Sequence, residues 1–407
     1  TTEVSQEAPS DYFVKEMLVR AQHHLTSDLY RAVARHHGNV VISPWSVMSM
    51  LTVAYILAGG RTASEIKEHL KIPLLSRKEL FEGFHNIYGM FEDHNHSSEI
   101  IESVSAAFVG GGLNAPQRIQ KNLQQNLNTF VDHTTITNSY DSADRNATTS
   151  TSVTPEEAIN DFVIKKTRGL IGELITPGTI QANQTALWLF NVLYFQGTWQ
   201  HKFNPRMTHP AEFKVDGKHP VKVPTMMVKA EIPRNHFPDL EMTVLELPYG
   251  HDGLYSLFLL LPDKDDGLPE LERRLKHLRL QNVLSSQHWA RLTKVFLPKF
   301  KFEKETDLME AMRRLGFKKM FQPGDAYFSR LTGQCNDSAY VTKIEHKAVI
   351  EVNEDGTRAA AATAVRLTAR RFAFNVRVNH PFMFVLRDKR LGINLFVGRV
   401  TDPRQLS

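Results

Sequence analysis

A chain of 407 residues that is 42% hydrophobic and 23% charged can bury a large core, a balance that excludes a disordered protein. The formal net charge of +5 is compatible with a polyanion partner but is less concentrated than a nucleic-acid binder requires, so no nucleic acid is expected. A single cysteine, Cys335, makes an internal disulfide impossible, and the longest apolar stretch, Val47 to Ala58, is too short to span a bilayer, so no membrane anchor is expected.

The first residues lack the basic and apolar regions of a signal peptide, so a leader is either removed or was never present. Phe13, Met17, Leu18, Ala21, Leu25, Leu29 and Ala32 recur at helical spacing, and a second helical run covers Val47 to Leu57. Gly110-Gly-Gly112 reads as a turn, because it lacks the third glycine and the helix of a phosphate loop. Residues 137–154 are rich in Ser, Thr, Asn and Asp and read as a polar surface loop. A helix starts directly after it, with Thr154 as N-cap, Pro155 at the first position and Glu157 completing a capping box. It runs through Ile159, Phe162, Val163 and Lys166 to a stop at Gly169.

From Thr185 onward the pattern changes to strands. Leu187, Leu189 and Phe190 precede a turn at Phe195-Gln-Gly-Thr-Trp, and later runs cover Tyr255–Leu261, Lys294–Phe302, Val349–Val352, Phe382–Leu386 and Ile393–Val400. Between them, Leu268 to Arg279 reads as a helix with Leu268, Leu271, Leu275 and Leu278 inward and Arg273, Arg274, Lys276 and His277 outward. That basic face either binds a heparin-like polyanion or is a solvated face in which Glu270 pairs with Arg274. Helices first and strands later, with little βαβ alternation, predict one α+β domain over residues 1–407 around a large antiparallel or mixed sheet.

Enzyme signatures are absent: there is no G-x-S-x-G elbow, Walker loop, H-E-x-x-H, C-x-x-C or G-x-G-x-x-G. His23-His24 and His36-His37 are adjacent pairs whose side chains diverge on a helix, so no metal site is expected there. Cys335 has no identified His partner and reads as a small residue rather than a nucleophile. Four glycosylation sequons, at Asn95, Asn146, Asn183 and Asn336, favour a secreted, extracellular protein.

The segment from Glu354 to Phe374 is too long for a plain connection between strands. Its alanines suggest a helix, but no apolar face of helical width exists. With period two it resolves into one small or apolar face, Thr357, Ala359, Ala361, Thr363, Val365 and Leu367. The other face, Arg358, Ala360, Ala362, Ala364, Arg366 and Thr368, holds both charges. Such a segment can be a loop in one state and a strand of a sheet in another.

Here the chain resembles the serpins, and over nearly its whole length. Glu354, Gly356, Thr357 and Ala359 to Ala362 match the family's hinge. Asn39-Val-Val-Ile-Ser-Pro-Trp-Ser46, Asn191, Tyr194-Phe-Gln-Gly197, Trp199, Phe203, His346-Lys-Ala348, His380-Pro-Phe382 and Leu395-Phe-Val-Gly398 match its core motifs in order. The resemblance implies the serpin fold, with a large central sheet, a second sheet region and an exposed reactive-centre loop over residues 354–379. It assigns Ser43, Ser46, Asn191 and His346 to the shutter, a buried polar cluster beneath the place where the sheet opens. Three departures stand out: the long polar loop, Phe162 where Trp is common, and Arg358 at a position more often acidic.

The family includes carriers and chaperones as well as inhibitors, and fold alone does not separate them. Non-inhibitors tend to carry bulky, charged or proline residues on the inward hinge face, whereas here that face is free of charge and proline. The resemblance therefore implies a monomeric inhibitor, with no catalytic residue or cofactor of its own, that forms a covalent complex with a serine protease. Counting from Thr357 and from Pro381 places the bait at Arg370, a basic residue suited to a trypsin-like protease; the Arg371-Phe372 bond is the alternative. The chain is also similar to arthropod haemolymph serpins, and Arg-Phe resembles bonds cut in melanisation cascades, which points to innate immunity.

Overall fold

The computed structural model describes residues 11–35, 37–92, 100–110, 115–132, 154–167, 169, 171–178, 186–215, 217–275, 280–332, 339–357 and 373–404. Among them the chain runs α1 (Asp11–Val33), β1 (Val40–Ile42), α2 (Pro44–Leu57), α3 (Gly60–His69), α4 (Arg77–Glu92), β2 (Ile100–Val109), α5 (Gln117–Leu127), β3 (Thr129–Asp132) and α6 (Pro155–Lys166). Strands then dominate: β4 (Ala186–Thr198), β5 (His209–Val215), β6 (His219–Phe237), β7 (Met242–Pro248) and β8 (Tyr255–Pro262). After α7 (Leu268–Leu275) and α8 (Leu280–Leu284) come β9 (Trp289–Pro298), β10 (Phe300–Asp307), α9 (Met309–Arg314) and α10 (Ser329–Thr332). The chain closes with β11 (Tyr340–Val352), β12 (Gly356–Thr357), β13 (Phe374–Arg377), β14 (Phe382–Asp388) and β15 (Ile393–Val400).

The described strands form two mixed sheets. One has the order β1-β15-β14-β8-β7-β6-β9-β13 with β5 on β6; the other has the order β10-β11-β4-β2-β3 with β12 on β4. The second sheet positions the site. Its neighbours β11 and β4 are parallel, whereas β10 on β11 and β2 on β4 are antiparallel. Strand β4 alternates between two buried faces. Leu187, Leu189, Leu193 and Phe195 join the main core with α2, while Trp188, Phe190, Val192 and Tyr194 join a second cluster under Ile159 and Val163 of α6. A strand buried on both faces reads as a near-continuous apolar run, and here Asn191 alone interrupts it between Leu187 and Phe195.

Several expectations need correction. Strands do not wait for Thr185: β2, the neighbour of β4, comes before it. Phe195-Gln-Gly-Thr-Trp is not a turn, because β4 continues through it to Thr198. Gly197 lies so flat there that a Cβ would sit 2.7 Å from the Phe195 ring and 2.8 Å from Tyr249. Lys294–Phe302 spans two strands, β9 and β10. Val349–Val352 is only the end of β11, whose earlier part is hidden in sequence by Lys343, Glu345 and Lys347. In α1 the buried stripe is Val14, Leu18, Ala21, Leu25 and Leu29, which leaves Phe13 36% exposed. The capping box at Thr154 is present with both of its hydrogen bonds, and Gly169, just past α6, takes φ +76. Phe162 stacks on Phe130 at a ring separation of 4.4 Å.

Candidate functional site

Three neighbouring strands bring one polar row into register. Ser105 of β2 pairs with Asn191 of β4, and Asn191 pairs with His346 of β11. Above the row sits the start of α2, whose N-cap Ser43 accepts a hydrogen bond from Ser46 N–H at 3.3 Å. The Ser46 hydroxyl donates to Asn191 Oδ1, Asn191 Nδ2 donates to Ser105 Oγ at 2.8 Å, and Ser43 N–H donates to His346 Nε2 at 2.9 Å. All five residues are buried. Four of them, Ser43, Ser46, Asn191 and His346, are those assigned from sequence; Ser105 was missed because β2 itself was missed.

The Ser43 bond fixes the state of the imidazole. An acceptor Nε2 requires a neutral ring with its proton on Nδ1, and a protonated ring would set two donors against each other. Desolvation lowers the His346 pKa from 6.5 to about 4, against a smaller upward pull from the Asn191 backbone carbonyl. Between those values the unfolded chain binds more protons than the folded one, so this contribution to stability is present above about pH 6.5 and is lost as pH falls towards 4. We expect about 2 kcal/mol less unfolding free energy from this residue at pH 5 than at pH 7. His23, lowered to about 4 by burial, adds a dependence of the same sign. Urea titrations of wild type and His346→Gln at both pH values isolate the His346 share; equal pH dependence in the two proteins contradicts it.

The second part of the site lies where β4 and β11 separate. Their last ladder pair is Val349–Tyr194. Beyond it, the chain leaves β11 through a tight turn at Asn353–Gly356, closed by Asn353 N–H to Gly356 O at 3.0 Å and Asp355 N–H to Asn353 Oδ1 at 3.1 Å. Gly356 and Thr357 then pair antiparallel with Thr198 and Gly197 of β4. The turn is held from below: Trp199 Nε1–H donates to Asn353 O at 2.8 Å, Trp199 N–H to Asp355 O at 2.9 Å and Phe203 N–H to Glu354 O at 3.0 Å. Trp199 stacks on Tyr249 with a centroid separation of 4.2 Å.

Glu354 is tied down as well. Its carboxylate accepts from Thr208 Oγ1 at 2.8 Å and pairs with Lys299 at 2.8 Å. Burial alone would raise its pKa, but the bonds from Lys299 and Thr208 outweigh burial and hold it below the usual value. Gly356 must be glycine. Its φ is +132, and a Cβ would lie 2.0 Å from the Gly197 carbonyl oxygen. Thr208 and Lys299, which hold the hinge, carry no motif and were not found from sequence.

The sequence placed other residues at the site. Arg358, Ala359, Ala360, Ala361, Ala362, Arg370, Arg371 and Phe372 lie outside the described residues, as do Asn95, Asn146, Asn183, Asn336, Cys335, Lys276, His277 and residues 137–153. On α7, Arg273 bonds to Glu270, and Arg274 bonds to both Glu270 and Glu241. Both described arginines of the basic face are therefore already engaged by carboxylates.

The arrangement meets a strict topological condition. Only a pair of parallel neighbours can admit a new strand that runs antiparallel to both, and β12 already lies antiparallel against one of them. Comparisons with known proteins agree with this geometry. The protein-family model "Serpin (serine protease inhibitor)" matches residues 20–403. The chain is 32% identical over 400 residues to the leukocyte elastase inhibitor of Equus caballus, covering 95% of this chain and 100% of that protein. It is 32% identical over 372 residues to Iripin-1 of Ixodes ricinus, covering 89% of each. The solved structure of Serpin48 from the insect Tenebrio molitor superimposes with a TM-score of 0.80 at 25% identity, covering 95% of this chain and 98% of that one. The fold is the serpin fold, its relatives are named as inhibitors rather than enzymes, and the chain belongs to the serpin family.

Proposed function

We propose that the chain is a secreted suicide inhibitor of a trypsin-like serine protease that offers Arg370 as bait. The observation that carries this reading is the pairing of Gly356 and Thr357 with β4 at the mouth between two parallel strands. When the same register is carried on along β4, Ala359 comes opposite Phe195, Ala361 opposite Leu193, Thr363 opposite Asn191 and Val365 opposite Leu189. Those partners face the main core, and Asn191 belongs to the polar row. The alternate residues Ala360, Ala362 and Ala364 come opposite Tyr194, Val192 and Phe190, which belong to the second cluster.

In this reading a protease attacks the bait bond and forms an acyl-enzyme. The freed segment enters the sheet and carries the protease with it before water releases it. About a dozen new ladder hydrogen bonds at about 1 kcal/mol each, with apolar burial in addition, drive the insertion. The secreted location is supported by the four sequons, and a role in arthropod-type immune cascades by the Arg371-Phe372 sequence. Non-inhibitors of the family tend to carry bulky, charged or proline residues on the inward face, and Ala359, Ala361 and Thr363 are none of these.

Cleavage of the loop by thermolysin tests insertion without a trapped protease. An added strand worth about 12 kcal/mol should raise the melting temperature by about 15 °C or more, since the unfolding entropy is about 2.1 cal/mol/K per residue. A cleaved protein that melts at or below the intact one would favour the carrier reading.

A further inference from the structure

Past the loop, the first described strand, β13, carries Phe374 on the sheet edge, 45% exposed. Phe374 pairs in register with Thr293 of β9. Arg291 and Trp289 are two and four residues before Thr293 on the same face, and Trp289 is directly opposite Arg234 of β6. Further along this face Thr293 and Ile232 are buried, so these four side chains form its solvent-facing end.

Their chemistry does not suit water. Trp289 is 57% exposed. The Arg234 guanidinium lies 3.9 Å from the Phe374 ring centroid and that of Arg291 lies 5.9 Å from it, so two cations share one ring. Desolvation, and then the neighbouring Arg291 charge, lower the Arg234 pKa. Among the described residues neither arginine makes an ion pair, and each is within reach of the other's charge over the same ring. Two like charges left together beside exposed aromatics form a surface that an external carboxylate would neutralise. Trp and Arg are also the residues that dominate interface energetics.

The position identifies the occupant. Phe374 is four residues on from Arg370, which limits the distance between them to roughly 14 Å. A standard interface covers about 800 Å² per partner, a disc of roughly 16 Å radius, so a protease seated on the bait reaches this patch. We propose that Trp289, Arg234, Arg291 and Phe374 form a secondary docking surface for an acidic face of the target protease, on the side that receives the residues after the cut. The inference rests on the inhibitor reading above and adds to it a basis for choosing among trypsin-like proteases.

The test uses anionic and cationic trypsin as probes, with full-length wild type, Trp289→Ala and the double variant Arg234→Glu/Arg291→Glu. Anionic trypsin whose active-site serine is replaced by alanine supplies a binding constant that does not depend on insertion. We expect the double variant to bind it about tenfold or more weakly at low salt and to be trapped by active anionic trypsin more slowly by a similar factor. Stoichiometry should stay the same, and the difference should shrink as salt screens it. Trp289→Ala should weaken binding at both salt concentrations, and the double variant should lose nothing towards cationic trypsin. Variants equal to wild type in binding inactive anionic trypsin overturn the docking surface, as does absence of wild-type binding. A wild-type dimer that the double variant abolishes also overturns it, by assigning the patch to a second copy of this chain. Wild type that binds inactive trypsin with the expected charge dependence yet traps no active protease would retain the surface and refute the inhibitor reading instead.

Discussion

Replacing Ala361 by Glu is expected to turn the inhibitor into a substrate. Continued along β4 in the register set by Gly356–Thr198 and Thr357–Gly197, residue 361 comes opposite Leu193 on the face packed against α2, where Leu193 is 0% exposed. Burying an unpaired carboxylate there costs several kcal/mol, of the same order as several ladder bonds. Insertion slows, and hydrolysis of the acyl-enzyme overtakes it. The stoichiometry of inhibition of trypsin should rise at least tenfold, with intact trypsin and cleaved inhibitor as products, while the first cut is made at the wild-type rate. Ala360→Glu is the informative partner. In the same register its position comes opposite Tyr194, which is buried, so it should also impair insertion; were that face open to solvent, the change would be silent. An Ala361→Glu protein with wild-type stoichiometry would refute the register.

The other large effect concerns the bait. Arg370→Ala removes the side chain that a trypsin-like pocket, with an Asp at its base, is built to receive. Losing a charge-assisted contact in that pocket costs roughly 3 kcal/mol or more, so trapping of trypsin should slow by at least about 100-fold. Arg371→Ala should cost much less, because residue 371 follows the cut. The melting temperature of both variants should match wild type. Greater loss in Arg371→Ala would move the bait to the next bond and leave the inhibitor reading intact.

The sequence made some elements legible and hid others for identifiable reasons. The capping box at Thr154 was readable because its parts lie within four residues, and β8, β14 and β15 because continuous apolar runs mark buried strands. β11 was only partly readable: its charges Lys343, Glu345 and Lys347 break the apolar pattern, and Lys347 is satisfied by Glu173 O, Glu303 and Glu305 from other elements. Four of the five residues of the buried polar row were found through resemblance. Ser105 was not, since its partnership with Asn191 depends on β2 lying beside β4 across 86 residues of chain. The clamp on Glu354 by Thr208 and Lys299 was hidden for the same reason, for no local pattern signals a long-range ion pair.

The most direct test of the central claim is to mix the protein with a slight excess of active trypsin, denature the mixture in SDS and determine the mass of both products. The account predicts an SDS-stable complex of one inhibitor with one trypsin, and a released C-terminal fragment that begins at Arg371. Complete conversion of the chain to cleaved monomer with trypsin still active, or no cleavage in residues 354–379 at all, would contradict it.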